Sequence, residues 1–226
     1  SDLLTPGESI SMKENNKEFP SKGWILAFHP DLICGTPLGL NIHNYTFFSY
    51  CPEEALHLSL REKQIILEFL ERIRQELERC IDRHSKKIIS KYIELLLDYC
   101  TRFYERQFIT RSEVNKKVFR EFNHLLDNHF NVKVSLSTDV LSDEYCANLL
   151  HLSPAYFNDL LKYEIGKEFK EYIQFKRFEI AKGWLVNTDK TLGQIAQELG
   201  FSNSQYFSRL FKKITGCSPN EFRMPN

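Results

Sequence analysis

The sequence predicts a mainly α-helical protein, and three observations carry that prediction. One segment occurs twice near the C-terminus, as Cys146–Lys162 and Ile195–Lys212. Two stretches ahead of it repeat apolar residues in steps of 4, 3, 4 and 3, the spacing of helices packed along each other. Only Trp24–Phe28 and Tyr45–Tyr50 have the aromatic and aliphatic composition of strands.

From the N-terminus, Pro6, Gly7 and Pro20, then Pro30, Gly35, Pro37 and Gly39, break the chain into short pieces. The two apolar runs among them read as strands, too few to close a core alone. Ser59, with Glu62 at the capping-box position, opens a helix expected to run from Leu60 to about Asp82. Its seam is Ile66, Leu70, Ile73, Leu77 and Cys80. A second helix, about Ser85 to Glu105, repeats the steps at Ile89, Ile93, Leu96, Cys100 and Phe103. Such seams suit either an intramolecular hairpin or a homodimer interface. A third helix, Glu113–Phe130, carries Val114, Val118, Phe119, Phe122, Leu125 and Leu126 and suits a bridge between domains.

In the repeat, Ala147 and Ala196, Leu150 and Leu199, and Ser153 and Ser202 are 49 residues apart. Past the serines the offset is 50, as for Tyr156 and Tyr206, Phe157 and Phe207, Leu160 and Leu210, and Gly166 and Gly216. Each copy reads as helix, tight turn, helix. Ser142 is placed to cap the first helix of copy one, and Ser153, followed by Pro154, the second. In copy two Thr191 and Gln194 form a capping box, and Ser202 with Gln205 is expected to cap the second helix. Gly166 and Gly216 stop both second helices. Gly200 suits the left-handed turn, where His151 in copy one carries strain. A connecting helix, Glu168–Leu185, has Phe169, Tyr172, Ile173, Ile180, Ala181, Trp184 and Leu185 at helical intervals.

Ile195, Ala196, Leu199, Phe201, Phe207, Leu210 and Phe211 should form a small core, with Tyr206 at its edge. That turns Asn203, Ser204, Gln205, Ser208, Arg209, Lys212 and Lys213 outward. Gln, Asn and Arg side chains suit base edges, and Ser and Lys suit phosphates. The outward set of copy one is Pro154, Ala155, Asn158, Asp159 and Lys162. Asp159 is repelled by phosphates but can accept from a cytosine amino group. Two such units on one rigid helix would meet major grooves about one turn, ~10 base pairs, apart.

The block from about Asp143 to Arg223 resembles the C-terminal DNA-binding domain of AraC/XylS-type transcription regulators. Its residues Ala196, Leu199, Gly200, Phe201, Ser202, Tyr206, Phe207, Ser208, Arg209, Phe211, Lys212, Lys213, Gly216, Ser218, Pro219, Phe222 and Arg223 carry the likeness. The resemblance implies a seven-helix double helix-turn-helix domain with contacts from Ala155, Asn158 and Asp159, and from Ser204, Gln205, Ser208 and Arg209. Family members often have a bulky or basic side chain at the positions of Ala155 and Asp159. The resemblance also implies an effector-binding, cupin-like β segment at the N-terminus. Leu4–Glu8 and Gly23–Pro30 look like the later part of such a barrel. The expected organisation is therefore sensor strands plus a dimerisation hairpin over 1–110, a linker helix over 111–130, and the DNA-binding domain over 131–226.

Composition constrains function less. The 226 residues carry 30 basic and 30 acidic side chains. From Asn131 onward there are 12 Lys and Arg against 11 Asp and Glu, so affinity for DNA must come from a local patch and a second subunit. Six cysteines without paired spacing read as buried reduced thiols, in keeping with the cytoplasm. No run reaches membrane-spanning length, so no membrane partner is expected. The seven histidines form neither HExxH nor a His-x-His pair for a cupin metal site, and His29 with Asp31 is a weak pair. No nucleophile elbow, phosphate loop or dinucleotide fingerprint is present. The sequence thus points to a dimeric, non-enzymatic regulator that binds double-stranded DNA, acts with RNA polymerase and responds to a small-molecule effector, with no cofactor or metal. The alternative is a cupin-type binding protein or metalloenzyme with an appended DNA-binding module.

Overall fold

A computed structural model describes residues 23–131 and 141–224. The chain divides into two compact units, Ser1–Ser112 and Glu113–Asn226. Every regular element among the described residues is helical.

The N-terminal unit is built on the hairpin. Helix α1 spans Pro37–Asn41, α2 Leu60–Leu77 and α3 Ser85–Thr110. The α2 capping box forms as its sequence requires, with the Glu62 N–H donating to Ser59 Oγ and the Ser59 N–H to Glu62 Oε2. Ile73, Ile89, Ile93, Leu96, Leu97, Cys100 and Phe103 are buried in one core, with Ile66 and Leu70 packed against it. The seam of α2 thus lies within the chain's own hairpin as far as Ile73. Helix α2 ends at Leu77, earlier than expected, which leaves Leu77 and Cys80 exposed. Helix α3 runs on past Glu105 to Thr110.

No strand occurs among the described residues, so the cupin-like segment is not seen there. Trp24–Phe28 has no regular structure, and Thr46–Ser49 is a 3-10 turn. The second run owes its apolar composition to contact with α3. Phe47 stacks on Tyr104 of α3 with ring centres 5.4 Å apart, and Tyr50 meets the same ring edge-on. Three polar ties hold this coil. Gln107 accepts from the His57 N–H at 2.8 Å and donates to the Ala55 carbonyl at 3.3 Å. The Tyr45 hydroxyl donates to Asp98 at 2.8 Å, and Arg106 donates to the His57 carbonyl at 2.7 Å while also making a two-pronged pair with Glu62 of α2, both contacts 2.9 Å. The Leu4–Glu8 expectation lies outside the described residues.

The C-terminal unit contains seven helices among its described residues. They are α4 (Ser112–Asn131), α5 (Asp143–Leu149), α6 (Pro154–Ile165), α7 (Phe169–Asn187), α8 (Leu192–Glu198), α9 (Ser204–Thr215) and α10 (Pro219–Arg223). Helix α4, expected as a bridge, is part of this unit's core. Its Phe122 and Leu126 are fully buried against Cys146, Ala147, Phe157, Leu161, Phe169, Tyr172 and Ile173. The Tyr172 hydroxyl donates to Asn123 at 2.6 Å, clipping α7 to α4. A second core gathers Phe178, Ala181 and Leu185 of α7 with Ile195, Ala196, Leu199, Phe207 and Phe211. Each helix-turn-helix copy therefore has its own core, and α7 runs through both.

Candidate nucleic-acid interface

The turns form as the residue types dictate. The Tyr145 N–H donates to Ser142 Oγ and the Tyr156 N–H to Ser153 Oγ. Thr191 and Gln194 make their capping box. Gly200, Gly166 and Gly216 adopt positive φ, and His151 does the same at φ 57°. In the two turns the Leu152 and Phe201 N–H groups donate to Ala147 and Ala196 carbonyls at 2.9 and 2.8 Å. The copies are thus equivalent up to the turn.

Helix α9 departs from expectation at its cap. Asn203, not Ser202, is the N-cap, accepting from the Tyr206 N–H through Oδ1 at 2.7 Å. The second turn is one residue longer than the first, and Asn203 takes the role of Ser153. Its carbonyl oxygen is thereby occupied within the protein.

The other predicted contact residues all reach the surface. Gln205, Arg209, Lys212, Lys213 and Lys162 are exposed, and Ser204, Ser208, Ala155, Asn158 and Asp159 are half-buried. Phe207 and Phe211, on the opposite face of α9, are fully buried. The two faces differ in charge. Lys162 of α6 pairs with Glu168 at 3.2 Å, and Asp159 adds a negative charge. Asn158 donates its amide to Asp143 Oδ2 at 2.9 Å and to the Pro154 carbonyl at 3.0 Å, so the oxygen is what it offers outward. On α9 the Arg209 guanidinium lies over the Tyr206 ring, 5.6 Å from its centre. Among the described residues no carboxylate pairs with Arg209, Lys212 or Lys213, so the basic patch belongs to the second copy. Sequence reasoning missed both the Asp143–Asn158 tie and the Tyr206–Arg209 stack. The i, i+3 spacing of Tyr206 and Arg209 was a signal for the latter.

A cleft of about 730 Å³ separates the two copies. Ser142 and Asp143 line one side, the Gly200–Ser202 turn with Tyr206 and Leu210 the other, and α7 the floor. No cluster of metal-ligating side chains occurs among the described residues.

This arrangement defines a class, two helix-turn-helix units on one shaft. Residues 146–224, which take in most of α5 and all of α6 to α10, match the family described as a helix-turn-helix domain. The chain is 33% identical over 111 residues to the uncharacterized HTH-type transcriptional regulator YtdP of Bacillus subtilis, covering 49% of this chain and 14% of that protein. It is 24% identical over 220 residues to the uncharacterized HTH-type transcriptional regulator YijO of Escherichia coli, covering 97% of this chain and 74% of that one. With the arabinose operon regulatory protein of Salmonella typhimurium it shares 32% identity over 101 residues, 45% of this chain and 32% of that one. The chain thus spans a third or less of the length of two of these three proteins. No helix among the described residues is long and apolar enough to cross a membrane.

Proposed function

We propose that the chain is a sequence-specific DNA-binding regulator of transcription that lays α6 and α9 into consecutive major grooves. One observation carries this reading. Two capped helices, α6 and α9, each with its apolar face buried and its polar face open, are fixed to one shared helix. The regulators it resembles support the same reading.

Residue chemistry assigns the roles. Arg209 is suited to guanine O6 and N7, and Gln205 to adenine N6 and N7. Ser204, Ser208, Lys212 and Lys213 suit phosphate oxygens. In the first copy Ala155 offers a methyl contact to thymine, and Asp159 and the Asn158 oxygen accept from base amino groups. The weaker charge of α6 makes α9 the anchoring head. The N-terminal unit supplies homodimer contacts and the response to a small-molecule effector, and the bound protein acts through RNA polymerase in the cytoplasm. Leu77 and Cys80, exposed at the end of α2, remain open to a partner subunit.

The test is selection of bound duplexes from a random-sequence library, followed by titration of the enriched site against scrambled DNA. Enrichment of a bipartite site with about ten base pairs between half-site centres is expected. Equal affinity for selected and scrambled duplexes would overturn the proposal. Sedimentation with and without the site tests the dimer.

A further inference from the structure

The floor of the cleft between the two copies holds a cation with no acid partner among the described residues. Lys170, Gln174 and Arg177 line it from α7, at i, i+4 and i+7, so they share one face over about 10 Å of helix. Arg177 is half-buried at the waist of α7, between Ile173 of the first core and Phe178 of the second. Its Nε is buried without a hydrogen-bond partner. Among the described residues no carboxylate pairs with it. Asp143, the acid lining the same cleft, is engaged by Asn158. His129, the other titratable group near Arg177, is pushed towards its neutral form by burial and by the Arg177 charge. Burial also holds the guanidinium below the ordinary arginine range.

Only Nε is covered, so the terminal nitrogens of this half-buried guanidinium are what it offers to the cleft, with no carboxylate among the described residues to hold them. A group that fits these donors is an anion whose oxygens accept from several N–H groups, which is phosphate chemistry. We infer that Arg177, flanked by Lys170 and Gln174, is a clamp for a phosphate of the duplex segment lying between the two recognition helices. This inference rests on the proposed reading of the two heads. Between two successive major grooves the duplex turns a sugar–phosphate strand towards whatever joins the heads, and here that is α7. The contact carries no sequence information, and it fixes register so that α6 and α9 engage together.

The test compares the whole chain with Arg177→Gln and Arg177→Lys on a duplex enriched by the wild type. Failure of the wild type to prefer any sequence would defeat the functional reading itself. Given that preference, Arg177→Gln should bind about tenfold more weakly at low salt. The slope of log affinity against log salt should fall by about 0.9, the ranking of base substitutions should not change, and Arg177→Lys should recover part of the loss. The melting temperature of free Arg177→Gln should stay close to that of wild type, because no ion pair among the described residues is lost. A neutral methylphosphonate at the bridging phosphate should erase the difference between wild type and Arg177→Gln. An unchanged slope, or a loss of binding matched by a lowered melting temperature, overturns the clamp. So does inorganic phosphate stabilising wild type alone while every methylphosphonate duplex leaves the difference intact, since the ligand would then be a free anion.

Discussion

On the proposed reading, single residues decide how each head would meet DNA. Arg209 is exposed, stacked on Tyr206 and unpaired by any acid among the described residues, so little holds it back from a base edge. Arg209→Ala should cost about 1–3 kcal/mol on a selected site and relax preference at one position; competition titrations with single-base variants measure both. Equal losses on selected and random duplexes would show a phosphate contact instead. Asn203 is spent on the α9 cap, so Asn203→Ala should lower stability by about 1 kcal/mol in thermal melts of the free protein while the base ranking stays put. That cap was legible in the sequence. The repeat offset changes from 49 to 50 just before the second helix, which pairs Ser153 with Asn203. The shift was visible, but Ser202 has the stronger look of a cap because Gln205 follows it at capping-box spacing. The thiols were misjudged for a related reason. Cys100 and Cys146 are buried, with burial pushing Cys100 up to about 12, yet Cys34, Cys51 and Cys80 are exposed, and composition alone does not say which.

At the scale of elements, helices were read better than coil. The period of α2, α3 and α7 follows from burial of one face, which sequence displays directly. Phe178, central to the second core, was overlooked although it lies three residues before Ala181 and seven before Leu185. The two N-terminal aromatic runs mimic strands because strand-like composition reports only a half-buried chain. For Tyr45–Tyr50 the partner is α3, not another strand. Gly39 of α1 marks how closely that short helix lies on the turn before it, since a Cβ there would lie 2.2 Å from the Ile33 carbonyl oxygen. Gly39→Ala should destabilise the N-terminal unit by about 1–3 kcal/mol, read as a lower urea midpoint. The Glu62–Arg106 pair gives the same unit an acid sensitivity. Partial burial raises the Glu62 carboxyl, but the Ser59 N–H and Arg106 outweigh it and leave it below its usual 4.5. A carboxyl lowered in the folded state stabilises above its unfolded value and loses that contribution as pH falls through the folded one. Glu62→Gln should therefore melt below wild type near neutrality, and the gap should close under about pH 4.

For the whole molecule, the division at Ser112 and Glu113 assigns α4 to the C-terminal unit. A fragment of residues 113–226 should melt cooperatively and retain the base ranking of the full chain. A fragment cut after α4 should not, because Phe122 and Leu126 are fully buried in the first core. Circular dichroism and binding titrations on the two fragments decide this. The motif-bearing half was legible because its caps, glycines and repeat are local signals. The role of α4 was not, since an amphipathic helix does not declare which neighbour its apolar face will meet.

Helix α7 threads both cores without a break, burying Phe169, Tyr172 and Ile173 in one and Phe178, Ala181 and Leu185 in the other. Neither head can swivel without emptying a cavity in its own interior. Any mismatch between the head separation and the pitch of the double helix must then be absorbed by curvature of the nucleic acid. That penalty depends on how pliable the uncontacted central steps are. Bases that no side chain touches would contribute to selectivity through their flexibility.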